Sequence, residues 1–205
     1  MHLKYNYWYF PKVIKKETCN KIISTCLKKK QVKGLVHNRI EKEEKLSLKK
    51  RVNPNIRNCW VSWINDKWIY DILNPFIHLA NRNAGWNFEW DWNESCQFTH
   101  YDKNQFYGWH CDQLTNPFKD SNKNINGKIR KLSLTLQLTD ESRYEGGDFQ
   151  FKRLFEKKVK IDTVKSAKEL GTIIIFPSFI YHQITPITHG TRESLVNWSL
   201  GKPFI

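Results

Sequence analysis

The stretch FYGWHCDQL, residues 106–114, places a histidine and an aspartate two residues apart behind a run of aromatic side chains. Residues i and i+2 of a strand project from the same face, so His110 and Asp112 can present an imidazole and a carboxylate to one ion. Two ligands rarely suffice for a metal site, and His182, in the later segment IIIFPSFIYHQITPI, supplies a third from a distant strand. The three residue types predict a metal centre.

The pattern H-x-D is weak evidence by itself, because a surface histidine near an aspartate is far commoner than a pair of ligands. Two histidines and one carboxylate, however, form the facial triad of non-haem Fe(II) enzymes, which leaves coordination positions open for O₂ and a cosubstrate. Arg192 and Ser194 follow, two residues apart, and a guanidinium with a hydroxyl beside it suits a carboxylate. The ordinary alternative for Arg192 is a surface salt bridge.

Two kinds of element must position these side chains. Helical spacing appears in ETCNKIISTCLKK, with Thr18 as a candidate N-cap, and in NDKWIYDILNPFIHLANRN, where Pro75 predicts a kink. From about residue 90, the short runs SCQFTHY, KLSLTLQL, GGDFQF and GTIIIFP predict strands separated by turn residues. In KLSLTLQL the leucines alternate with Ser133, Thr135 and Gln137, so the face opposite the leucines is polar and could line a pocket.

These patterns predict a mainly β protein with flanking helices and a β-barrel or jelly-roll core. We expect residues 1–89 to form an N-terminal helical support region that includes a basic mobile loop at about 36–58. Residues 90–205 are expected to form the core, integrated with the helical region in one domain.

The 205-residue chain has 34 Lys and Arg against 20 Asp and Glu, which gives a formal net charge of +14. Such a charge attracts nucleic acid or another acidic partner, although lysines on a solvated helix face or loop are the ordinary explanation. The sequence has no bilayer-spanning apolar run and no signal-peptide pattern, and its five cysteines include no C-x-x-C pair. We therefore expect a soluble, cytoplasmic protein with no membrane partner.

Three segments of the C-terminal half resemble, in order, the Fe(II)/2-oxoglutarate dioxygenases, specifically the prolyl 4-hydroxylase-like branch with its bacterial and phage relatives. The segments are QFTHYDKNQFYGWHCD, KLSLTLQLTDESRYEGGDFQF and FPSFIYHQITPITHGTRESLVNWSLG. The family pattern Y-x-x-G-x-x-Y-x-x-H-x-D is matched by Tyr101, Asn104, Tyr107, His110 and Asp112. Asn104 replaces the glycine, and asparagine is the non-glycine residue that best tolerates a left-handed turn conformation.

The resemblance implies that His110, Asp112 and His182 hold Fe(II) on a double-stranded β-helix. It also implies oxidative decarboxylation of 2-oxoglutarate to succinate and CO₂, coupled to hydroxylation of an unactivated C–H bond by O₂, with ascorbate as a candidate reductant. Related halogenases lack the carboxylate that Asp112 supplies, which favours hydroxylation. Nucleic-acid demethylases carry a second arginine six residues after the cosubstrate arginine, where this chain has Trp198, which disfavours repair of alkylated bases.

For the cosubstrate, the resemblance implies that the far carboxylate of 2-oxoglutarate meets Arg192, with Ser194 beside it. Tyr101 stands where relatives place a tyrosine that hydrogen-bonds the cosubstrate. Gln137 stands where some relatives have another tyrosine, and its amide retains a donor.

The substrate is less defined than the chemistry. The branch resembled implies peptidyl proline, free proline or a related amino-acid side chain, hence a peptide or protein partner. Arg57, Trp60 and Tyr107 are candidate substrate contacts, and a structural salt bridge and a core tryptophan are equally ordinary roles for Arg57 and Trp60. The net charge favours a nucleic-acid-directed oxygenase as the alternative. A non-catalytic β-barrel binding module is the third interpretation.

Overall fold

The computed structural model describes residues 3–36, 53–155 and 158–204. Its α-helices are Lys16–Leu27 (α1) and Lys67–Asn83 (α2). Its strands are Trp8–Phe10 (β1), Val32–Lys33 (β2), Arg57–Asn58 (β3), Trp60–Ile64 (β4), Trp92–Asn93 (β5), Cys96–Tyr101 (β6), Phe106–His110 (β7), Ile129–Gln137 (β8), Tyr144–Gly146 (β9), Phe149–Phe155 (β10), Lys158–Thr163 (β11), Ile173–Pro177 (β12), His182–Ile184 (β13), Ile187–Gly190 (β14) and Arg192–Gly201 (β15).

The strands form two main antiparallel sheets. The larger sheet has the order β1-β12-β8-β15-β6-β4-β2, with β5 paired to β15, and the smaller sheet has the order β11-β10-β13-β7-β3. Strands β9 and β14 form a separate pair. One hydrophobic cluster joins inward side chains of both sheets, such as Val61 and Tyr101 from the larger sheet and Phe149 and Phe151 from the smaller. The mainly β architecture predicted from the alternating runs is confirmed.

The helices cover the outer face of the larger sheet. In α2, Ile69, Leu73 and Ile77 recur at a spacing of four residues and are buried against the alternate leucines of β8. This packing uses one face of β8 and leaves its Ser133–Thr135–Gln137 face turned toward the smaller sheet. Among the described residues, no helix is long and apolar enough to cross a membrane.

Several boundaries differ from the sequence prediction. Helix α1 begins at Lys16 with Lys15 as its N-cap, so the N-cap prediction for Thr18 was wrong. Most of the basic loop predicted at about 36–58 lies outside the described residues, and Arg57 and Asn58 at its end form β3. The region expected to be a helical support also contributes β1 through β4, which extend both sheets.

Candidate active site

Three predicted metal ligands come together between the two sheets. His110 ends β7 and His182 begins β13, and the antiparallel pairing of these strands places the two histidines directly opposite each other. Asp112 follows β7 and is fixed by backbone hydrogen bonds, because the amides of Asp112 and Gln113 both donate to the carbonyl of Ser178. One ligand atom from each of His110, Asp112 and His182 lies within 4.8 Å of the other two.

Hydrogen bonds orient both imidazoles. Nδ1 of His110 lies 2.8 Å from the Gly108 carbonyl oxygen, and Nδ1 of His182 lies 3.0 Å from the Ile180 carbonyl oxygen. A carbonyl only accepts, so each Nδ1 carries a proton and Nε2 is the ring atom left to bind a metal. The Nε2 atoms of His110 and His182 are 3.6 and 3.7 Å from the two carboxylate oxygens of Asp112. The three groups thus direct one ligand atom each toward one point, as a metal site requires.

The charge states of the ligands also suit a metal. Burial, with His182 nearby, holds the pKa of His110 well below its ordinary value, so this imidazole is neutral. Burial alone would raise the pKa of Asp112, but His182, His110, Arg130 and the Ser133 hydroxyl lower that pKa to about 2. The Ser133 hydroxyl donates to Oδ2 of Asp112 at 2.7 Å. Asp112 is therefore an ionised carboxylate across the ordinary pH range.

Arg192 lies deeper in the same cavity and is suited to an anion. Its side chain is among the largest fully buried ones, at 1% exposure, and it lines the cavity together with Tyr101 and Ser194. Nη1 of Arg192 donates to the Ser194 hydroxyl at 3.3 Å, whereas its buried Nε has no hydrogen-bond partner. Within residues 3–36, 53–155 and 158–204, no carboxylate forms an ion pair with Arg192. A buried guanidinium without a counter-ion fits the far carboxylate of a dicarboxylic cosubstrate.

Gln137 is on the polar face of β8, as predicted, but it does not line the cavity. Its Nε2 donates to the Thr139 carbonyl and to the Tyr144 hydroxyl, at 2.9 and 3.1 Å. Tyr144 also hydrogen-bonds Arg192, so it stands between Gln137 and the guanidinium. Gly147 has a φ of 61°, and a Cβ there would lie 2.5 Å from Cδ1 of Ile187 and 3.1 Å from Cδ of Arg192, so a side chain at this position would be strained and would crowd Arg192.

The candidate substrate contacts separate into two groups. Tyr107 stacks on the ring of His110, with 3.4 Å between ring centroids, and the guanidinium of Arg57 lies 4.5 Å from the Tyr107 centroid. Arg57 and Tyr107 line the cavity. Trp60 does not, because it points to the face of β4 opposite Val61 and lies under the ammonium group of Lys33.

Sequence reasoning named no role for several cavity residues. The cavity, of about 190 Å³, is also lined by Trp63 and Trp198, and by Arg130, whose guanidinium lies 4.0 Å from the Trp198 ring. The guanidinium of Arg130 donates two hydrogen bonds to the carboxylate of Glu94, at 2.6 and 2.7 Å. The alternation of β4 could have assigned Trp63 to an inward face, but the partner of Arg130 comes from a distant segment that no local pattern predicts.

A jelly roll that directs two histidines, one carboxylate and a buried arginine, with no counter-ion in the described part of the chain, into one cavity has the arrangement of an Fe(II) oxygenase that uses a 2-oxo acid. A model of the 2OG-Fe(II) oxygenase superfamily matches residues 96–200, which contain all four of these residues. The chain belongs to the 2OG-Fe(II) oxygenase superfamily, and the resemblance found in the sequence is confirmed. The family's Fe(II) and 2-oxoglutarate fit the donor set and the unpaired arginine described above.

Similar curated proteins include PKHD-type hydroxylases. One from Alteromonas mediterranea is 31% identical over 102 residues, which are 49% of this chain and 41% of the relative. Another, from Synechococcus sp. strain CC9902, is 38% identical over 93 residues, which are 45% of this chain and 35% of the relative. The match thus spans less than half the length of these relatives.

Solved structures resemble the whole fold. The viral collagen prolyl hydroxylase of Paramecium bursaria Chlorella virus-1, solved with 2OG, has a TM-score of 0.64 at 16% identity, covering 97% of each chain. A Pseudomonas putida prolyl-4-hydroxylase has a TM-score of 0.64 at 17% identity, covering 98% of this chain and 95% of the other. These likenesses confirm the double-stranded β-helix core.

Proposed function

We propose that this protein is an Fe(II)- and 2-oxoglutarate-dependent dioxygenase that hydroxylates an unactivated C–H bond in a peptidyl proline or a related amino-acid residue. The observation that carries the proposal is the convergence of His110, Asp112 and His182 on one point, beside a buried arginine that has no counter-ion among the described residues. A binding protein that had lost its chemistry would have no need to keep both features, which speaks against the binding-module alternative.

In this proposal the two histidines and Asp112 hold Fe(II), and Arg192 with Ser194 holds the far carboxylate of 2-oxoglutarate. Bound Fe(II) would activate O₂, which is the oxidant, and 2-oxoglutarate would supply two of the four electrons that reduce it, so that one oxygen atom enters succinate with loss of CO₂ and the other enters the hydroxylated substrate. The Ser133 hydroxyl keeps the Asp112 carboxylate oriented. Burial raises the pKa of Tyr101, so its phenol remains a neutral donor toward the cosubstrate. Ascorbate is a reductant to include in assays.

The substrate class rests on three supports. The relatives with the matched segment are named PKHD-type hydroxylases, and two solved structures of similar fold are prolyl hydroxylases. The cavity is small for a ligand pocket, so it suits a single side chain next to the cosubstrate. Arg57 and Tyr107 are the proposed substrate contacts, because both line the cavity beside His110.

Mass spectrometry of blocked proline-containing peptides tests this proposal. After incubation with Fe(II), 2-oxoglutarate and O₂, we expect one peptide to gain the mass of one oxygen atom, with an equal amount of succinate formed in addition to the succinate of a peptide-free control. The variant Asp112→Ala should abolish both products. Turnover of another substrate class, with no peptide modified, would contradict the proline assignment while leaving the oxygenase chemistry intact.

A nucleic-acid substrate is the second candidate, favoured by the net charge of +14 and by an exposed tryptophan, Trp63, on the cavity wall. Binding of an oligonucleotide that weakens steeply with salt, together with oxidation of a base or sugar, would support it. No binding at low salt would remove it.

A further inference from the structure

The cavity has two chemically different ends. Arg192, Ser194 and Tyr101 make one end polar, and this is the end assigned to the cosubstrate. The other end is formed by Trp63, Val196 and Trp198, which we call the aromatic shelf, and Gln97 lies between Trp63 and Val196. The cosubstrate is not expected to bind at this end, because one of its carboxylates is proposed to bind at the metal and the other at Arg192.

Strand register builds the shelf. Trp63 on β4 pairs with Gln97 on β6, which in turn pairs with Val196 on β15, so the three residues form one row across the larger sheet. Trp63 is 45% exposed although it lies on the cavity side of the sheet, and its ring centroid lies 6.2 Å from that of Trp198. A large apolar surface exposed beside a proposed active site marks a place where a ligand packs.

Contacts of Arg130 hold the Trp198 part of the shelf in place. The Trp198 ring lies against the guanidinium of Arg130, which donates two hydrogen bonds to the carboxylate of Glu94. Nη1 of Arg130 also lies 3.4 Å from the carbonyl oxygen of Asp112. The shelf is therefore linked to the loop that carries a proposed metal ligand. A rigid aromatic surface binds a partner with little loss of conformational entropy.

We infer that Trp63 is a specificity residue of this oxygenase, and that it packs against a proline next to the residue being hydroxylated, in an extended proline-rich peptide. The inference rests on the proposed function, because the shelf adjoins the cavity proposed to hold the reacting side chain. A cavity of about 190 Å³ leaves neighbouring substrate residues outside the enclosed space, on the open rim where Trp63 lies. Proline-rich segments in the polyproline II conformation dock into aromatic-lined grooves, since their conformation is already fixed and their rings are apolar.

The test compares two fluorescently labelled, blocked peptides that share one central proline. In the first peptide prolines flank the central residue, and in the second the flanking positions are alanines. Binding is measured by fluorescence anisotropy with Mn(II) and 2-oxoglutarate present, and succinate formation is measured separately with Fe(II). Trp63→Ala is compared with Trp63→Phe and with Trp92→Ala, a control at an exposed tryptophan of the same sheet that does not line the cavity.

We expect Trp63→Ala to weaken binding of the proline-flanked peptide about tenfold or more, as is usual for a central aromatic anchor. Trp63→Phe should retain most of the affinity, and Trp92→Ala should behave like wild type. Peptide-free succinate formation should not change in Trp92→Ala, because Trp92 does not line the cavity.

Equal affinity of wild type and Trp63→Ala for the proline-flanked peptide would overturn the inference, as would failure of the wild type to bind it. Loss of affinity for a single-stranded oligonucleotide in place of the peptide would overturn it in favour of nucleic acid. Failure of the proposed function has a separate signature: the wild type then forms no succinate under any condition, whatever the peptide-binding result.

Discussion

The Ser133 hydroxyl is the best place to test how the protein tunes its metal ligands. Ser133 is fully buried, donates to Oδ2 of Asp112 at 2.7 Å, and shares a 2.9 Å hydrogen bond with the Ser178 hydroxyl. A hydrogen bond to a charged group contributes about 1.5–3 kcal/mol. Since about 1.4 kcal/mol corresponds to a factor of ten, Ser133→Ala should weaken metal binding by about 10- to 100-fold. Loss of an outer partner of a metal ligand typically costs about the same.

Anaerobic calorimetric titration with Mn(II) or Fe(II) measures this effect. Ser62→Ala is the matched control, because Ser62 is equally buried in the larger sheet but donates to the Cys26 carbonyl, away from the ligands. Both variants should lose some stability, and only Ser133→Ala should lose metal affinity. If folded Ser133→Ala binds the metal as tightly as wild type, the hydroxyl does not orient Asp112 and the reasoning is refuted.

Three further predictions follow from single residues. Arg192→Met should raise the KM for 2-oxoglutarate about 10- to 100-fold, the value of one hydrogen bond to a charged group. It should also reduce the rise in Tm that a fixed concentration of 2-oxoglutarate gives to wild type, and an unchanged KM would contradict the assignment. Hydrogen bonding to Glu193, aided by Asp102, raises the pKa of His100. Because the folded-state pKa is raised, protonated His100 stabilises the fold fully below the unfolded-state pKa of about 6.5, and this stabilisation is lost as the pH rises through the folded-state pKa. In urea unfolding, His100→Gln should therefore be more destabilised relative to wild type at about pH 5.5 than at about pH 8.5. Asn104 has a φ of 66°, so Asn104→Gly should leave the free energy of unfolding unchanged or raise it, whereas Asn104→Val should lower it by about 1–2 kcal/mol in urea unfolding. Equal stability of the two variants would be evidence against backbone strain at this position.

Local patterns predicted the parts of the fold that depend on local physics. The alternation in KLSLTLQL correctly gave a strand with leucines on one face and polar residues on the other. In the structure the leucines pack against the helices, Thr135 lines the cavity and Ser133 bonds Asp112. The left-handed turn at Asn104 was also correctly predicted, because few other residues adopt it readily. Two histidines and an aspartate could be proposed as ligands because their residue types match an iron site.

Features that depend on tertiary packing were not predictable in this way. Gln137 has the polar orientation expected of it, but Tyr144, from a segment outside that strand, stands between it and Arg192. Trp60 lies on the far face of its strand, and assigning that face required the register of β4 against β6. The Arg130–Glu94 pair joins residues 36 positions apart, so no short motif reveals it.

The most direct test of the account is succinate production from 2-oxoglutarate after anaerobic loading with Fe(II) and admission of O₂. Wild type is compared with His110→Ala, and metal binding is titrated in both. The account predicts that wild type binds one iron and forms succinate, even without a peptide, and that His110→Ala does neither. Wild type that binds iron without forming any succinate would contradict the proposed oxygenase, and wild type that binds no iron would contradict the assignment of His110, Asp112 and His182 as ligands.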